Sequence, residues 1–350
     1  MSVTHEFEFL IQWHLTERCN LRCSHCYQDG SRHDELSTAE VRSGLDEIGD
    51  LFASWSDAHG IKLVPSFNIT GGEPLLRSDL YDVLAVLADR GWDAYVLTNG
   101  TLITTTDARR IAGLRVKGVQ VSLEGPQAVH DALRGAGSFR ASLSGIRALL
   151  DAGVTVTVNA TLSEVNAERF FELADSAARL GVQRLGFSRL VPSGRGGGLS
   201  DRMLSAGRIR DLYHRILSLS YVGMELVSGD PVASCMRADG KGSDDQGDVS
   251  VGGCAAGVAG LTILPDGTIV PCRRLPVPLG NLRTDSLREL WATSPVLDAL
   301  RTRSRYEGKC GRCRRWATCR GCRAIAYAAT GLHGSGSLLA EDPQCPFEQV

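Results

Sequence analysis

The stretch Thr16-Glu17-Arg18-Cys19-Asn20-Leu21-Arg22-Cys23-Ser24-His25-Cys26-Tyr27 decides how this chain is read. It places three cysteines within eight residues, just after the strand-like run Phe9–Leu15. Thiolates are soft ligands that select zinc, copper(I) or iron–sulfur clusters. At this spacing three of them wrap one face of a compact group. On a four-iron cubane they leave one iron without a protein ligand, the mark of a reactive centre. Spacing alone also allows a zinc site completed by His25 or by a distant residue.

Outward from this loop the chain alternates two periodicities. Strand-like runs are Phe9–Leu15, Pro65–Thr70, Asp93–Thr98, Gly118–Leu123, Val154–Leu162 and Gln183–Leu190. Helical patterns lie between them near 37–52, 78–90, 104–113, 138–152 and 165–180. Ser37 with Glu40 three residues on is a capping box that starts the first helix. Such repeats predict a parallel α/β sheet or barrel with every strand's C-terminal end at one rim. The texture changes at Pro192-Ser-Gly-Arg-Gly-Gly-Gly198, a loop signal. A helix is expected over 201–220 and an exposed loop from Gly229 to Gly253. A hairpin (Gly260–Ile263 and Thr268–Pro271 around Pro265-Asp266-Gly267) is expected after Cys254. That last region is expected to bury little apolar area and to depend on metal to fold.

The 350 residues carry a formal net charge of −2, with 43% hydrophobic and 22% charged residues. This excludes wholesale disorder and any broad basic field for nucleic acid or an anionic membrane. No apolar run approaches a membrane span, and the N-terminus lacks the pattern of a secretory signal, so a cytoplasmic location is expected. Eleven cysteines are an odd number in a large chain without an export signal, which argues against a disulfide framework.

The cysteine loop resembles the signature of the radical S-adenosylmethionine (SAM) superfamily, three cysteines spaced x3 and x2 with an aromatic beside the last. Further matches follow in order. Gly71-Gly72-Glu73-Pro74 after the second strand is similar to the motif that holds the SAM amino group. Thr98-Asn99-Gly100 follows the third strand and Ser122-Leu123-Glu124-Gly125 the fourth. The resemblance implies a partial parallel (β/α)6 barrel. It puts Asn99, Ser122, Glu124 and Asn159 near SAM, with Glu124 standing where the superfamily usually shows Asp. It also implies a [4Fe–4S] cluster on Cys19, Cys23 and Cys26 that reductively cleaves SAM to a 5′-deoxyadenosyl radical.

The later cysteines resemble the SPASM extension with two auxiliary [4Fe–4S] clusters: Cys254, twelve residues, Gly267, four residues, Cys272, then Cys310-x2-Cys313-x5-Cys319-x2-Cys322 and Cys345. The resemblance implies Cys310, Cys313, Cys319 and Cys345 as outer-cluster ligands and Cys254, Cys272 and Cys322 as inner-cluster ligands. The fourth inner ligand stays unassigned. Cys235 is open to three readings: that ligand, a catalytic hydrogen donor that quenches a substrate radical, or an inert thiol. A zinc ribbon from Cys310, Cys313, Cys319 and Cys322 is the rival. The expected division is a core at 1–200, a bridging helix and flexible loop at 201–253, and the SPASM domain at 254–350.

The enzymes this chain resembles mostly modify ribosomally made peptides, so a precursor peptide is the first expected substrate, cross-linked, epimerised or oxidised. The alternative is a small molecule: a sugar, nucleoside, aminoglycoside or tetrapyrrole undergoing decarboxylation, epimerisation or dehydrogenation. Only 18 residues precede Cys19, so any peptide-recognition domain is expected on a separate protein. An electron carrier or zinc-binding protein is the non-enzyme alternative. The basic cluster Arg312, Arg314, Arg315, Arg320 and Arg323 suits an acidic electron donor such as a flavodoxin or ferredoxin, or a plain solvated surface.

Overall fold

The computed structural model describes residues 6–348 apart from 31–33, 239–248, 251 and 333. Six strand–helix repeats build the first half. They are β1 (Glu6–His14) and α1 (Thr38–His59), β2 (Lys62–Thr70) and α2 (Leu80–Asp89), β3 (Asp93–Thr98) and α3 (Thr105–Gly113). Then come β4 (Gly118–Ser122) with α4 (Gln127–Arg134) and α5 (Ser138–Asp151), β5 (Val156–Leu162) with α6 (Phe170–Leu180), and β6 (Arg184–Arg189) with α7 (Ala206–Leu217). After these follow β7 (Glu225–Val227), α8 (Pro231–Ala238), β8 (Gly260–Ile263), β9 (Thr268–Val270) and β10 (Gly280–Asn281). Four short helices end the chain: α9 (Leu287–Thr293), α10 (Pro295–Arg301), α11 (Gly308–Arg312) and α12 (Arg323–Gly331).

All ten strands form one sheet in the order β10-β9-β8-β1-β2-β3-β4-β5-β6-β7. Pairing from β1 to β7 is parallel throughout, and β8 also joins β1 in parallel. The expected hairpin forms, and it buries more apolar area than expected by joining the barrel sheet. Leu261, Ile263, Ile269 and Val270 are buried, and β8 extends the barrel wall.

Strand alternation separates two interiors. Phe9, Ile11 and Trp13 on β1, and Leu15 just after it, join the hydrophobic core under the helices. Leu10 and Gln12 face a lumen that Asn68, Gln120, Asn159, Ser188 and Thr262 also line. The Ser37–Glu40 capping box forms, with the Ser37 hydroxyl accepting from the Glu40 amide and the Glu40 carboxylate from the Ser37 amide. Helix α1 runs beyond the expected 52 because Phe52 and Trp55 pack edge-on against Phe9. Gly60 then ends it in the left-handed conformation, φ 64°.

The expected loop from Gly229 onward is corrected at 231–238, which is helical. Asp230 caps this helix by accepting the Val232 amide at 2.8 Å, and Pro231 occupies the first turn. Residues 239–248 and 251 of that expected loop lie outside the described residues.

Candidate active site

The cysteine loop is held by its own backbone against the loop after β2. The Gly72 amide donates to Thr16 O at 2.7 Å and the Glu73 amide to Arg18 O at 2.8 Å. The contact is so close that a Cβ at Gly71 would stand 2.3 Å from Thr16 O, and one at Gly72 2.3 Å from Arg18 O. Gly71 also has φ +151°. No side chain fits at either position, which gives the glycine pair a physical reason.

Cys19, Cys23 and Cys26 line a cavity of about 140 Å³ shared with Gly71, Gly72, Asn99, Ser122 and Asn159. Three backbone and side-chain N–H groups approach two of the sulfurs. The Leu21 amide lies 3.4 Å from Cys19 Sγ, Asn99 Nδ2 3.9 Å from the same sulfur, and Arg134 Nη1 3.7 Å from Cys23 Sγ. Burial raises the Cys19 and Cys23 thiols above their ordinary value. Metal ligation needs the thiolate, so at these raised thiols a bound metal group would have to favour ionisation against burial. Three soft donors on one wall of a cavity fit a cluster that they cap on one side, with polar groups on the facing walls.

Among the cofactor candidates only some reach this cavity. Ser122 and Asn159, paired across β4 and β5, line it without a side-chain partner among the described residues. Asn99 lines it too, braced by Asn20 and Thr101 at 2.8 and 2.6 Å. Glu73 and Pro74 lie beneath. The fully buried Glu73 carboxylate accepts from the Thr98 hydroxyl at 2.7 Å and the Asn99 amide at 2.8 Å, and burial raises its pKa despite these bonds. Pro74 opens a single helical turn.

Glu124 departs from expectation. It does not line the cavity: one oxygen pairs with Arg134 at 2.6 Å and His25 at 3.3 Å, the other accepts the Thr161 amide at 2.8 Å. Burial pushes its pKa up, but Arg134 and His25 outweigh it and the carboxyl stays well below its usual range. Glu124 therefore positions the Cys23–Cys26 turn from behind. Sequence reading missed Arg134, whose signal was its place in the helix after Ser122-Leu-Glu-Gly. It named His25 only as a zinc ligand.

The C-terminal cysteines fall on two further cavities. Cys254, Cys272 and Cys322 line the lumen, a cavity of about 300 Å³. Cys310, Cys313, Cys319 and Cys345 line a separate one of about 310 Å³. Burial pushes the thiols of Cys322 and Cys345 up to about 12 and about 11, so the same argument for a deprotonating metal group applies. Among the described residues no three His, Cys, Asp or Glu side chains converge as a single metal ion would require. Cys235 lines none of the three cavities. It is buried in α8 with its thiol against that of Cys319.

Arg320 and Arg323 correct the expected basic surface. Both are buried. Arg323 donates to the carbonyls of Leu338 and Ala340 and approaches Cys310 Sγ at 3.6 Å; Arg320 donates to Cys254 O. Only Arg312 and Arg314 of the five are exposed.

A second buried network ties the tail to the barrel. Arg189 at the end of β6 pairs with Asp230 at 2.6 Å and Asp342 at 2.8 Å. Asp342 also accepts the amides of Cys322 at 2.8 Å and Gln344 at 3.0 Å.

A parallel barrel carries a three-thiol loop at its C-terminal rim and two more thiol sets behind it, an arrangement suited to iron–sulfur ligation. Profile comparison agrees. The Radical SAM superfamily profile matches residues 13–177 and the iron–sulfur cluster-binding SPASM profile residues 254–323. The chain is 33% identical to the AdoMet-dependent heme synthase of Nitratidesulfovibrio vulgaris, covering 97% of this chain and 92% of that one. It is 30% identical to the mycofactocin maturase of Mycolicibacterium smegmatis, over 96% and 82%. The structure of Streptococcus suis SuiB bound to its precursor peptide SuiA superimposes with a TM-score of 0.73 at 18% identity, over 97% and 76%. The chain belongs to the radical SAM superfamily and carries a SPASM domain. It is a radical SAM enzyme, and its cofactors are SAM and iron–sulfur clusters. No helix among the described residues is long and apolar enough to cross a membrane.

Proposed function

We propose that this enzyme removes a hydrogen atom from a carbon of a precursor held in the barrel lumen, and that the precursor is a tetrapyrrole. One observation carries the reading: the cavity at the three-cysteine loop and the lumen share Leu97, Gln120, Asn159, Ser188, Arg273 and Arg274 as common walls. A group bound at the loop therefore faces whatever fills the lumen. The heme synthase relative supports the substrate class.

The cluster and SAM, when bound, supply a 5′-deoxyadenosyl radical. The chain's own residues do the rest. Cys19, Cys23 and Cys26 hold the cluster. Gly71 and Gly72 let the loop close on it, and Asn99, Ser122 and Asn159 offer polar contacts to SAM. Glu73, Pro74 and Glu124 position these groups from behind. The lumen wall orients the reacting carbon and limits water around it. Cys310, Cys313, Cys319 and Cys345 hold one auxiliary cluster. Cys254, Cys272 and Cys322 hold a second with three thiols, and Cys235 is a buried neighbour of Cys319, not a ligand. An acidic one-electron donor of flavodoxin or ferredoxin type docks over the outer cavity, where Arg312 and Arg314 are exposed.

A second reading, a precursor peptide delivered by a separate recognition protein, is favoured by the mycofactocin maturase relative, which aligns with 96% of the chain.

The test is anaerobic reconstitution with iron and sulfide, then dithionite, SAM and an iron porphyrin, with 5′-deoxyadenosine read by mass spectrometry beside a Cys23→Ala control. Porphyrin-dependent product in wild type alone is expected. Product that rises with a precursor peptide and not with porphyrin selects the second reading. Neither SAM binding nor product from fully loaded protein refutes both.

A further inference from the structure

Arg273 and Arg274 stand on the wall common to the two joined cavities. Their hydrogen bonding is nearly empty. The Nε atoms of both are buried without a partner. Arg274 makes one bond, from Nη1 to Arg189 O at 3.3 Å. Arg273 makes none among the described residues and lies over the Tyr27 ring at 5.7 Å.

Of the other arginines of these cavities, Arg134 is paired with Glu124 and Arg189 with Asp230 and Asp342, while Arg195, like Arg274, makes one bond to a carbonyl, Cys23 O at 3.1 Å. Among the described residues no Asp or Glu lines either cavity. A guanidinium buried without an anion is strongly unfavourable in the free protein, and its planar fork matches a carboxylate in two parallel bonds. Arg274 lies in the field of Asp230 and of the Cys272 and Cys322 thiols, whereas no carboxylate acts on Arg273, so Arg273 marks a site open to an anion and Arg274 flanks it.

We propose that Arg273 and Arg274 form a carboxylate-binding subsite that anchors an acidic substrate at the border between lumen and SAM. This rests on the reading of the lumen as the substrate chamber and adds to it the chemistry that the substrate must carry. A carboxylate held there places the carbons beside it next to the cavity of the three-cysteine loop, so the subsite sets which carbon reacts. SAM carries a carboxylate of its own, and the test separates the two.

Anaerobically reconstituted holoenzyme with SAM is titrated calorimetrically with iron deuteroporphyrin IX, which bears two carboxylates, and with its neutral bis-amide. Wild type is expected to prefer the diacid by about 10- to 100-fold. Arg273→Met and Arg274→Met are each expected to weaken the diacid and leave the bis-amide unchanged. Arg273→Lys, which keeps the charge and loses the fork, is expected to fall between. Equal binding of diacid and bis-amide by wild type overturns the subsite without recourse to any variant. A loss that falls on SAM affinity instead of the diacid assigns the arginines to SAM and also overturns it. Failure of fully loaded wild type both to bind SAM and to form 5′-deoxyadenosine refutes the radical reading itself. Failure to bind either porphyrin while SAM is still cleaved refutes the tetrapyrrole, and the subsite with it.

Discussion

Replacing Asp342 by alanine removes the carboxylate at the centre of the network joining the C-terminal tail to the barrel. In the native protein it holds Arg189 through bonds of 2.9 and 2.8 Å and receives the amides of Cys322 and Gln344. Both Asp342 and Arg189 have no exposed surface. Alanine leaves two buried amides without an acceptor, each costing roughly 1–3 kcal/mol. Arg189 keeps Asp230 and is not left bare, so the ion-pair part falls at or below the low end of the roughly 3–5 kcal/mol typical of breaking a buried pair. The terms share a partner and do not simply add, and together they give an expected loss of about 4 kcal/mol. Asp342→Asn keeps one acceptor oxygen but points a donor at Arg189 or at an amide, so it falls between alanine and wild type. The exposed Arg169–Glu172 pair on α6 is the control, and its removal is expected to cost less than about 0.5 kcal/mol.

The assay is urea unfolding at pH 7 followed by circular dichroism, beside limited proteolysis of the tail. Asp342→Ala is expected to expose the segment around Cys345 to protease first, because Gln344 loses its backbone anchor. Burial raises the Asp342 pKa, but the charge and bonds of Arg189 outweigh it and the carboxyl stays below its ordinary value. Its contribution is therefore complete above about pH 4 and is lost only as pH falls below that. A variant that loses less than about 1 kcal/mol, with the tail as protected as in wild type, would show that Arg189 is satisfied by Asp230 alone and refute the reasoning.

His14 is fully buried and its pKa is lowered from 6.5 to about 3, by burial first and then by Arg273. The unfolded chain takes up that proton at 6.5 and the folded one does not, so stability falls by up to about 1.4 kcal/mol per pH unit between 6.5 and 3. His14→Gln should flatten this slope in urea midpoints, and an unchanged slope rejects the assignment. Gly72→Ala drives a methyl into Arg18 O, a backbone atom that cannot swing away. The cost is expected to exceed about 2 kcal/mol, with selective loss of iron from the three-cysteine site by Mössbauer spectroscopy, and normal loading counts against the close approach. Cys235→Ala leaves a small cavity beside Cys319 and should cost about 1 kcal/mol with total iron unchanged; loss of one cluster's iron makes Cys235 a ligand. Glu124→Gln should retain the fold but weaken cluster loading, since Arg134 and His25 lose the charge that orders them behind Cys23; unaltered loading in a folded variant removes Glu124 from that role.

The strand–helix repeats were legible because their signals are local. Alternation marks each strand, and Ser37 with Glu40 marks a helix start within four residues. The cysteine loop and the glycine pair were legible for the same reason, since ligand spacing and tight backbone approach are written in short runs. Helix 231–238 was hidden although its Asp230-Pro231 start was in view, because the glycine- and aspartate-rich text downstream suggested loop. Arg189 meets Asp342 across 153 positions, and no periodicity announces such a pair. Arg320 and Arg323 read as surface charge because sequence shows a cation without its acceptors: for these two, carbonyls and a thiol supplied by turns far along the chain.

The same asymmetry explains why substrate class was the least legible property. Cofactor ligands must be a fixed chemical type at a fixed spacing, so they leave a motif. A substrate chamber needs only that side chains from many strands converge, and in the lumen proposed for that role Gln12, Asn68, Gln120, Asn159, Ser188 and Thr262 come from six of them. What marks Arg273 is the lack of any acid acting on it, a property of the assembled walls. The sequence pair Arg273-Arg274 after Cys272 shows two cations without their surroundings, and that no carboxylate lines the cavities beside them is visible only in the assembled walls.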